Sequence, residues 1–269
     1  MKLCVVTSGL LFACLAAAAT PPNSGLRSSE RRQAGRRSEL RPRGSGVAPS
    51  PDDSGWAGAI HSGKDITEVS GTFIIPQLSR PPNADADTTY VGSAWLGIDG
   101  DENCPGAILE TGIDFFASPD GSVEVDAWSQ WTPGYQYSFQ SLKNLEAGVE
   151  LHFHVKTNGA TGGTATIYVP STDETWTQTY TDQPALCQTS AEWVVENLLT
   201  TDENGNRMIP PLIDFSDLTF TGAKYTHDGG VQSGAAGSRP QAINVGGVVR
   251  AAGQAVGEDS VVIKYHASN

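Results

Sequence analysis

The chain has 269 residues, a formal net charge of −13 at pH 7 and four cysteines. So acidic a protein is a poor partner for nucleic acids or anionic membranes. The chain is long enough to bury one good hydrophobic core.

The first 20 residues, MKLCVVTSGLLFACLAAAAT, predict a secretory signal peptide. One lysine precedes an apolar run that ends in small alanines. The run is too short to anchor the chain in a membrane, and no later apolar run is long enough to span one. Cleavage is expected near Ala19 or Thr20, and we therefore expect a secreted, extracellular protein.

Residues 21–52 predict a basic propeptide. Up to residue 50 this segment holds seven arginines, two glutamates and no aromatic residue, so it cannot bury a core. A cleavable propeptide fits a secreted protein better than a nucleic-acid-binding arm does. Beyond residue 50 the chain keeps nine of its 17 basic and 28 of its 30 acidic residues, a formal charge of about −19, which favours an acidic working environment.

Residues 53–269 predict a single all-β domain. Short runs rich in Val, Ile, Thr and aromatic residues alternate with Gly, Pro, Asn and Asp, which is typical of strands and turns. The runs are 65–76, 88–99, 106–116, 122–131, 148–157, 163–170, 174–181, 191–199, 213–223 and 260–267. Many short strands without helices between them indicate an antiparallel sandwich or barrel. The stretch HDGGVQSGAAGSRPQ, residues 227–241, predicts a long polar loop.

Two cysteines remain after the signal peptide, Cys104 and Cys187. An even pair in an oxidising compartment predicts one disulfide. Two distant cysteines are poor evidence for a metal site, which needs more soft ligands.

The strand GAILETGIDFF, residues 106–116, carries a carboxylate where a strand is usually apolar. At a period of two, Glu110 shares a face with Ile108 and Asp114. An isolated buried carboxylate is costly, so Glu110 is expected to line a groove, to be paired or to stay protonated. The alternative is a solvated face of an edge strand.

Two further strands place carboxylates beside tryptophans. Glu192 and Glu196 share one face of AEWVVE, and Asp126, Trp128 and Gln130 share one face of DAWSQW. Acids and aromatics on one sheet suit a secreted hydrolase of polymers. The chain has no G-x-S-x-G elbow and no H-E-x-x-H helix. A sandwich-fold glycoside hydrolase with paired carboxylates and a catalytically inactive binding protein remain alternatives.

Seven motifs, in this order along the chain, resemble the fungal glutamic peptidases, the eqolisins. They are SGWAGAI (54–60), TFIIPQL (72–78), SAWLGIDGDENC (93–104), AILETGIDFF (107–116), DAWSQWTPGY (126–135), AEWVVENL (191–198) and DFSDLTFTGA (214–223). The resemblance spans nearly all of the chain beyond the basic segment. It implies a sandwich of two antiparallel sheets, of the concanavalin A or jelly-roll kind, and an acid-active endopeptidase that needs no metal or cofactor.

The resemblance also implies roles for individual residues. The glutamate of the family's A-E-W motif is the general base and corresponds to Glu192. The glutamine of the I-L-Q-T-G motif donates its amide to the oxyanion, but this chain has Glu110 there. Gln130 stands where the family typically has glutamate. Further substrate-binding residues are expected in the same groove, namely Trp95, Asp99, Asp114, Asp126, Trp128 and Gln130.

A protonated Glu110 would donate a hydrogen bond as an amide does, and a second carboxylate in the groove would help it keep its proton at acid pH. The presence of Glu110 in place of the family's glutamine therefore predicts either an acid-restricted peptidase or a degenerate paralogue with little activity. The expected partners are protein or peptide substrates and the chain's own propeptide as an inhibitor. We expect a monomer with no nucleic-acid or membrane partner.

Overall fold

A computed structural model describes residues 31–32, 54–139, 142, 144–201 and 207–267. The predicted signal peptide lies outside these residues, and so does the predicted propeptide apart from Arg31–Arg32. Every regular element in the described part of the chain is a β-strand. The strands are β1 Arg31–Arg32, β2 Trp56–Ser62, β3 Glu68–Ile74, β4 Tyr90–Ile98, β5 Ile108–Ala117, β6 Val123–Thr132, β7 Gln136–Ser138, β8 Glu150–Thr157, β9 Gly163–Val169, β10 Glu174–Tyr180, β11 Ser190–Glu196, β12 Thr200–Thr201, β13 Arg207–Met208, β14 Asp217–His227, β15 Val231–Gly234, β16 Arg239–Val245, β17 Val248–Val256 and β18 Ser260–Tyr265.

Sixteen of these strands form one folded sheet, in the order β1-β7-β6-β5-β4-β11-β2-β16-β17-β18-β14-β3-β8-β9-β10, with β15 beside β14. The strands pair antiparallel throughout. The sheet folds over through β16, β17 and β18, so that β4 and β5 pack against β3, β8 and β9. The two layers confirm the predicted antiparallel sandwich.

The two layers differ in how their strands are buried. In β9 buried and partly exposed residues alternate, as expected for a strand with one face on the core and one toward solvent. All nine residues of β4 are buried, and so are nine of the ten residues of β5. These strands are therefore covered on both faces.

Aromatic side chains fill the core between the layers. Phe73 stacks on Phe153 with ring centroids 4.8 Å apart and meets Phe220 edge-on at 5.1 Å. The indole nitrogen of Trp193 on β11 donates a hydrogen bond of 2.9 Å to the backbone oxygen of Ser70 on β3. This bond joins the two layers directly behind the strand that carries Glu192.

The predicted loop over residues 227–241 is wrong. The chain turns back after β14 and forms β15, with His227 opposite Val231, and β16 begins at Arg239. Gly229 and Gly230 adopt φ values of 73° and 127°, which lie in the region that favours glycine and make the reversal tight. The residues here are polar and rich in glycine and lack apolar alternation, so the side-chain pattern gave no strand prediction.

The disulfide between Cys104 and Cys187 is confirmed, with Cα atoms 6.0 Å apart. It connects the loop after β4 to the loop before β11. It therefore fixes the ends of two neighbouring strands of one layer relative to each other. Separately, the described residues include no helix that is long and apolar enough to cross a membrane.

Candidate active site

Four neighbouring strands bring the two glutamates singled out by sequence into one row. Across β6, β5, β4 and β11 the residues in register are Gln130, Glu110, Gly97 and Glu192. Residues in register on adjacent strands point to the same face of a sheet. The Cα atoms of Glu110 and Glu192 are thus separated by two strand spacings, about 10 Å, and their side chains share one face.

Gly97 lies between the two glutamates, where the neighbouring strand is too close for a side chain. A Cβ atom on residue 97 would lie 3.2 Å from the Cβ atom of Glu110 and 2.9 Å from the backbone oxygen of Leu109. Any side chain at this position would therefore force β5 and Glu110 to shift. The sequence pattern gave no indication of this role, because it appears only when the three strands are aligned.

Glu192 is fully buried, and its environment disfavours the charged form. Neither of its carboxylate oxygens has a hydrogen-bond partner among the described residues. Burial raises the pKa of Glu192 well above its usual range, and the nearby carboxylates of Asp99, Asp101 and Glu110 raise it further. The nearby Ser190 hydroxyl opposes this rise in the pKa, although it does not reach hydrogen-bond geometry.

Glu110 is also fully buried but has polar neighbours. The Thr132 hydroxyl donates a hydrogen bond of 3.2 Å to Oε1 of Glu110. Gln130, directly opposite, donates its side-chain nitrogen to the backbone oxygen of Gly134 at 2.9 Å. The backbone of Gly134 thus holds the amide of Gln130. Gln130 lies on the strand next to Glu110, on the side away from Glu192.

Asp99 is held by the loop that leads into β11. Its carboxylate accepts hydrogen bonds from the backbone N–H groups of Gln188, Thr189 and Ser190, at 2.7, 2.8 and 3.3 Å. These bonds, together with the adjacent disulfide, fix the start of the strand that carries Glu192. Substrate contact by Asp99 stays a prediction. The hydrogen bonds that its carboxylate accepts in the structure hold β11 in position.

Tryptophans form the next row along the strands. Trp128, Gly112, Trp95 and Val194 are in register across β6, β5, β4 and β11. A Cβ atom on Gly112 would lie 2.5 Å from the Cβ atom of Trp95, so glycine is required between the two indoles. The indole nitrogen of Trp95 donates a hydrogen bond of 2.8 Å to Glu196.

A row of carboxylates follows the tryptophans. Asp126, Asp114, Ser93 and Glu196 are in register on the same four strands. The register thus brings Trp95, Asp114, Asp126, Trp128 and Gln130 to the face that carries Glu110 and Glu192, with Asp99 just beyond the end of β4. Sequence reasoning missed Gly97, Gly112 and Gln136, a buried residue of β7 that donates to Asp114.

The fold and this face together define a class of protein. A β-sandwich with carboxylates and tryptophans gathered on one sheet face is suited to a hydrolase that acts on an extended polymer. Residues 54–265 match the peptidase A4 family. The chain therefore belongs to this family, the glutamic peptidases or eqolisins, as the sequence motifs predicted.

Named relatives agree with this assignment. The chain is 32% identical over 255 residues to Aspergillopepsin-2 of Aspergillus niger, a match covering 85% of this chain and 88% of the relative. It is 32% identical over 238 residues to Scytalidopepsin B of Scytalidium lignicola, a match covering 83% of this chain and 84% of that relative. Its fold is similar to a crystal structure of scytalido-glutamic peptidase with a transition state analogue inhibitor. That match has a TM-score of 0.68 and 28% identity, and it covers 79% of this chain and 98% of the other.

Family membership decides between the hydrolase classes that the sequence left open. The protein is an endopeptidase of the glutamic type, and its substrates are peptides. The glycoside hydrolase alternative is not supported.

The close packing at Gly97 generates the first prediction. Gly97→Ala should lower kcat/KM for a peptide substrate at least about tenfold, because the added methyl group would press on the backbone of Leu109 and displace Glu110. Activity is measured at acid pH on protein shown by near-ultraviolet circular dichroism to be folded. Gly106→Ala is the matched control, since a Cβ atom there meets nothing within 4 Å. Full activity in folded Gly97→Ala would show that catalysis does not depend on this close packing.

Proposed function

We propose that the protein is a secreted acid endopeptidase in which Glu192 activates the attacking water. One observation carries this proposal. Glu192 is a fully buried carboxylate with no hydrogen-bond partner among the described residues, and it is in register with Glu110, with Gly97 between them. A buried group without a partner costs stability, and such a cost is typical of a group retained for chemistry.

The proposed reaction needs two carboxyl groups in different protonation states. Ionised Glu192 takes a proton from water while the water oxygen bonds to the scissile carbonyl carbon. Protonated Glu110 donates a hydrogen bond to the oxyanion that forms. Glu192 then returns its proton to the leaving nitrogen, the C–N bond breaks, and a carboxylic acid and an amine leave.

Mutual repulsion keeps one proton in the pair. Burial favours that proton on Glu192, and the proposed reaction proceeds from the arrangement in which the proton lies on Glu110. The negative charge of Glu110 is one of the causes that raise the pKa of Glu192, so the two groups are coupled. Coupled carboxyl groups lose their protons in two steps that belong to the pair, and between those steps the pair holds one proton. Below this pH range Glu192 is protonated and cannot act as the base. Above it Glu110 is ionised and cannot donate to the oxyanion. Activity is therefore confined to a pH window.

The other residues on this face are proposed to bind the peptide. Trp95 and Trp128 are proposed to form an apolar wall, and Asp114, Asp126 and Gln130 to offer polar contacts on either side of it. For Asp99 we propose an indirect role, because its carboxylate oxygens already accept hydrogen bonds from the loop before β11.

The basic segment over residues 21–52 is proposed to be an inhibitory propeptide that follows a cleaved signal peptide, with the active enzyme a monomer. Its arginines oppose the negative charge of the rest of the chain. The antiparallel pairing of Arg31–Arg32 with Gln136 and Tyr137 of β7 supports binding at the edge of the catalytic sheet. This attraction should weaken as carboxylates are protonated.

Exchanging each glutamate for glutamine tests the catalytic roles. Glu192→Gln removes the base and should lower kcat/KM by about 10²–10⁴-fold. Glu110→Gln supplies a permanent donor, so activity should survive at acid pH and its upper pH limit should rise. Both results are measured as pH profiles of kcat/KM on one peptide, in which each variant is compared with the acid-treated wild-type chain.

Two outcomes would contradict these roles. An active wild type with an inactive Glu110→Gln would mean that Glu110 works as a base or nucleophile and not as a donor. A folded wild type that binds peptides but cleaves none at any pH would identify an inactive paralogue.

A synthetic peptide of residues 21–50 tests the propeptide. It should inhibit the active enzyme more strongly at about pH 6 than at about pH 3, because carboxylates of the enzyme are protonated at the lower pH. Inhibition at the higher pH should also weaken in about 1 M salt. A peptide of the same composition in scrambled order controls for charge alone. Equal inhibition at both pH values and both salt concentrations would contradict an electrostatic mechanism.

A further inference from the structure

The layer formed by β3, β8, β9 and β10 ends in a strand with one unpaired side, β10. All seven residues of β10 pair in continuous antiparallel register with β9, from Glu174 opposite Val169 to Tyr180 opposite Gly163. Among the described residues no strand pairs with the other side of β10, where the order of the sheet ends. Such an edge presents backbone N–H and C=O groups that can pair with another extended chain.

β10 lacks the features that usually protect an edge strand. Natural edge strands are often very short, or they carry lysine, proline or a β-bulge that opposes pairing with another chain. The sequence ETWTQTY contains neither lysine nor proline, and its pairing with β9 has no shift in register. Its one charged residue, Glu174, lies at the end of the strand. The exposed edge is therefore open to pairing over its whole length.

The sequence of β10 reads almost the same in both directions from its middle residue, Thr177. In an antiparallel pair of two copies centred on Thr177, each Thr175 lies opposite a Thr179, and each Trp176 lies opposite a Gln178. The three threonines are exposed and share one face of the strand. Threonines that are opposite each other on adjacent strands stabilise a sheet. The edge is therefore complementary to itself.

The other face of β10 carries Trp176, which is only partly buried. Its indole packs against the core, with its ring centroid 6.0 Å from that of Phe139. In the antiparallel pair, Gln178 of the second copy lies beside this indole and covers part of the surface that remains exposed. Removing apolar surface from water is favourable, and the two-fold symmetry of the pair provides this contact twice.

Strand length and charge select the register of the pair. A pair centred on Thr177 uses the whole of β10 and places Glu174 opposite Tyr180. Moving the centre by one residue toward the C-terminus places Glu174 opposite Asp182, and like charges directly opposite each other are unfavourable. The register centred on Thr177 therefore keeps the carboxylates of the two copies apart.

We propose that two copies of the chain associate through antiparallel pairing of their β10 strands, which joins their sheets into one. A single short edge buries much less than the about 1,200–2,000 Å² of a stable interface, so the association is transient. The enzyme therefore stays a monomer at the dilution of an activity assay. Because β10 belongs to the layer opposite Glu192, the association leaves the active-site face uncovered and does not depend on the proposed catalytic roles.

Charge makes the association depend on pH and salt. The chain beyond residue 50 carries a formal charge of about −19, and Asp173, Glu174 and Asp182 flank or end β10. Two copies therefore repel each other less in acid, where carboxylates are protonated. Sedimentation velocity of the acid-treated chain from about 5 to about 500 μM should show more dimer at about pH 4 than at about pH 6.5. The difference should shrink in about 1 M salt, which screens the repulsion.

A single introduced cysteine tests the register. Thr177→Cys places two thiols opposite each other at the two-fold axis, within the distance that a disulfide spans. Thr166→Cys is the matched control, because Thr166 is opposite Thr177 on β9, and two copies of residue 166 would be three strand spacings apart, about 14 Å. Oxidation at about pH 6 in about 1 M salt should therefore give at least about tenfold more covalent dimer with Thr177→Cys than with Thr166→Cys.

A charge at the axis tests the same contact without oxidation. Thr177→Lys places two like charges opposite each other and should raise the dissociation constant of the dimer at least about tenfold, with kcat/KM unchanged. A chain that stays monomeric at about 500 μM at both pH values and in about 1 M salt would overturn the inference. Equal cross-linking of the two cysteine variants, or a dimer that Thr177→Lys leaves intact, would also overturn it. None of these outcomes bears on the proposed peptidase activity.

Discussion

The structure depends on the burial of one carboxylate that has no hydrogen-bond partner among the described residues. Glu192 is fully buried on β11, and neither carboxylate oxygen has a donor within that part of the chain. Burial of this kind favours the protonated form and opposes folding at higher pH. The surrounding structure must therefore hold β11 firmly enough to keep the glutamate in place.

Several features meet that requirement from different directions. The disulfide between Cys104 and Cys187 and the hydrogen bonds to Asp99 fix the start of β11. Behind the strand, Trp193 packs in the core and donates a hydrogen bond to the backbone oxygen of Ser70 on the opposite layer. Beside it, Gly97 avoids the clash that a side chain would make with β5. These contacts hold β11 at its start, on its core face and along its edge with β4.

Sequence reasoning reached the fold and most of the proposed site residues, for identifiable reasons. Alternation at period two predicted that Glu110, Asp114 and the residues of β6 would face one side, and strand register brings them together. It did not find Gly97 or Gln136, because their importance depends on which strands are neighbours and not on local pattern. Of the strands after β14, β18 was predicted and β15, β16 and β17 were missed. The polar, glycine-rich residues between β14 and β16 lack the apolar alternation that marks a strand.

The dependence of stability on pH tests the central claim most directly. Because the pKa of Glu192 is raised in the folded state, folding retains its proton, so its contribution to stability is full below pH 4.5 and is lost as pH rises through the folded-state pKa. Glu192→Gln cannot ionise. Its free energy of unfolding, measured by urea denaturation from about pH 3.5 to about pH 7.5, should increase relative to wild type as pH rises. Glu146→Gln, at an exposed site, should show no such trend. A difference between Glu192→Gln and wild type that stays constant or falls with rising pH would contradict the account.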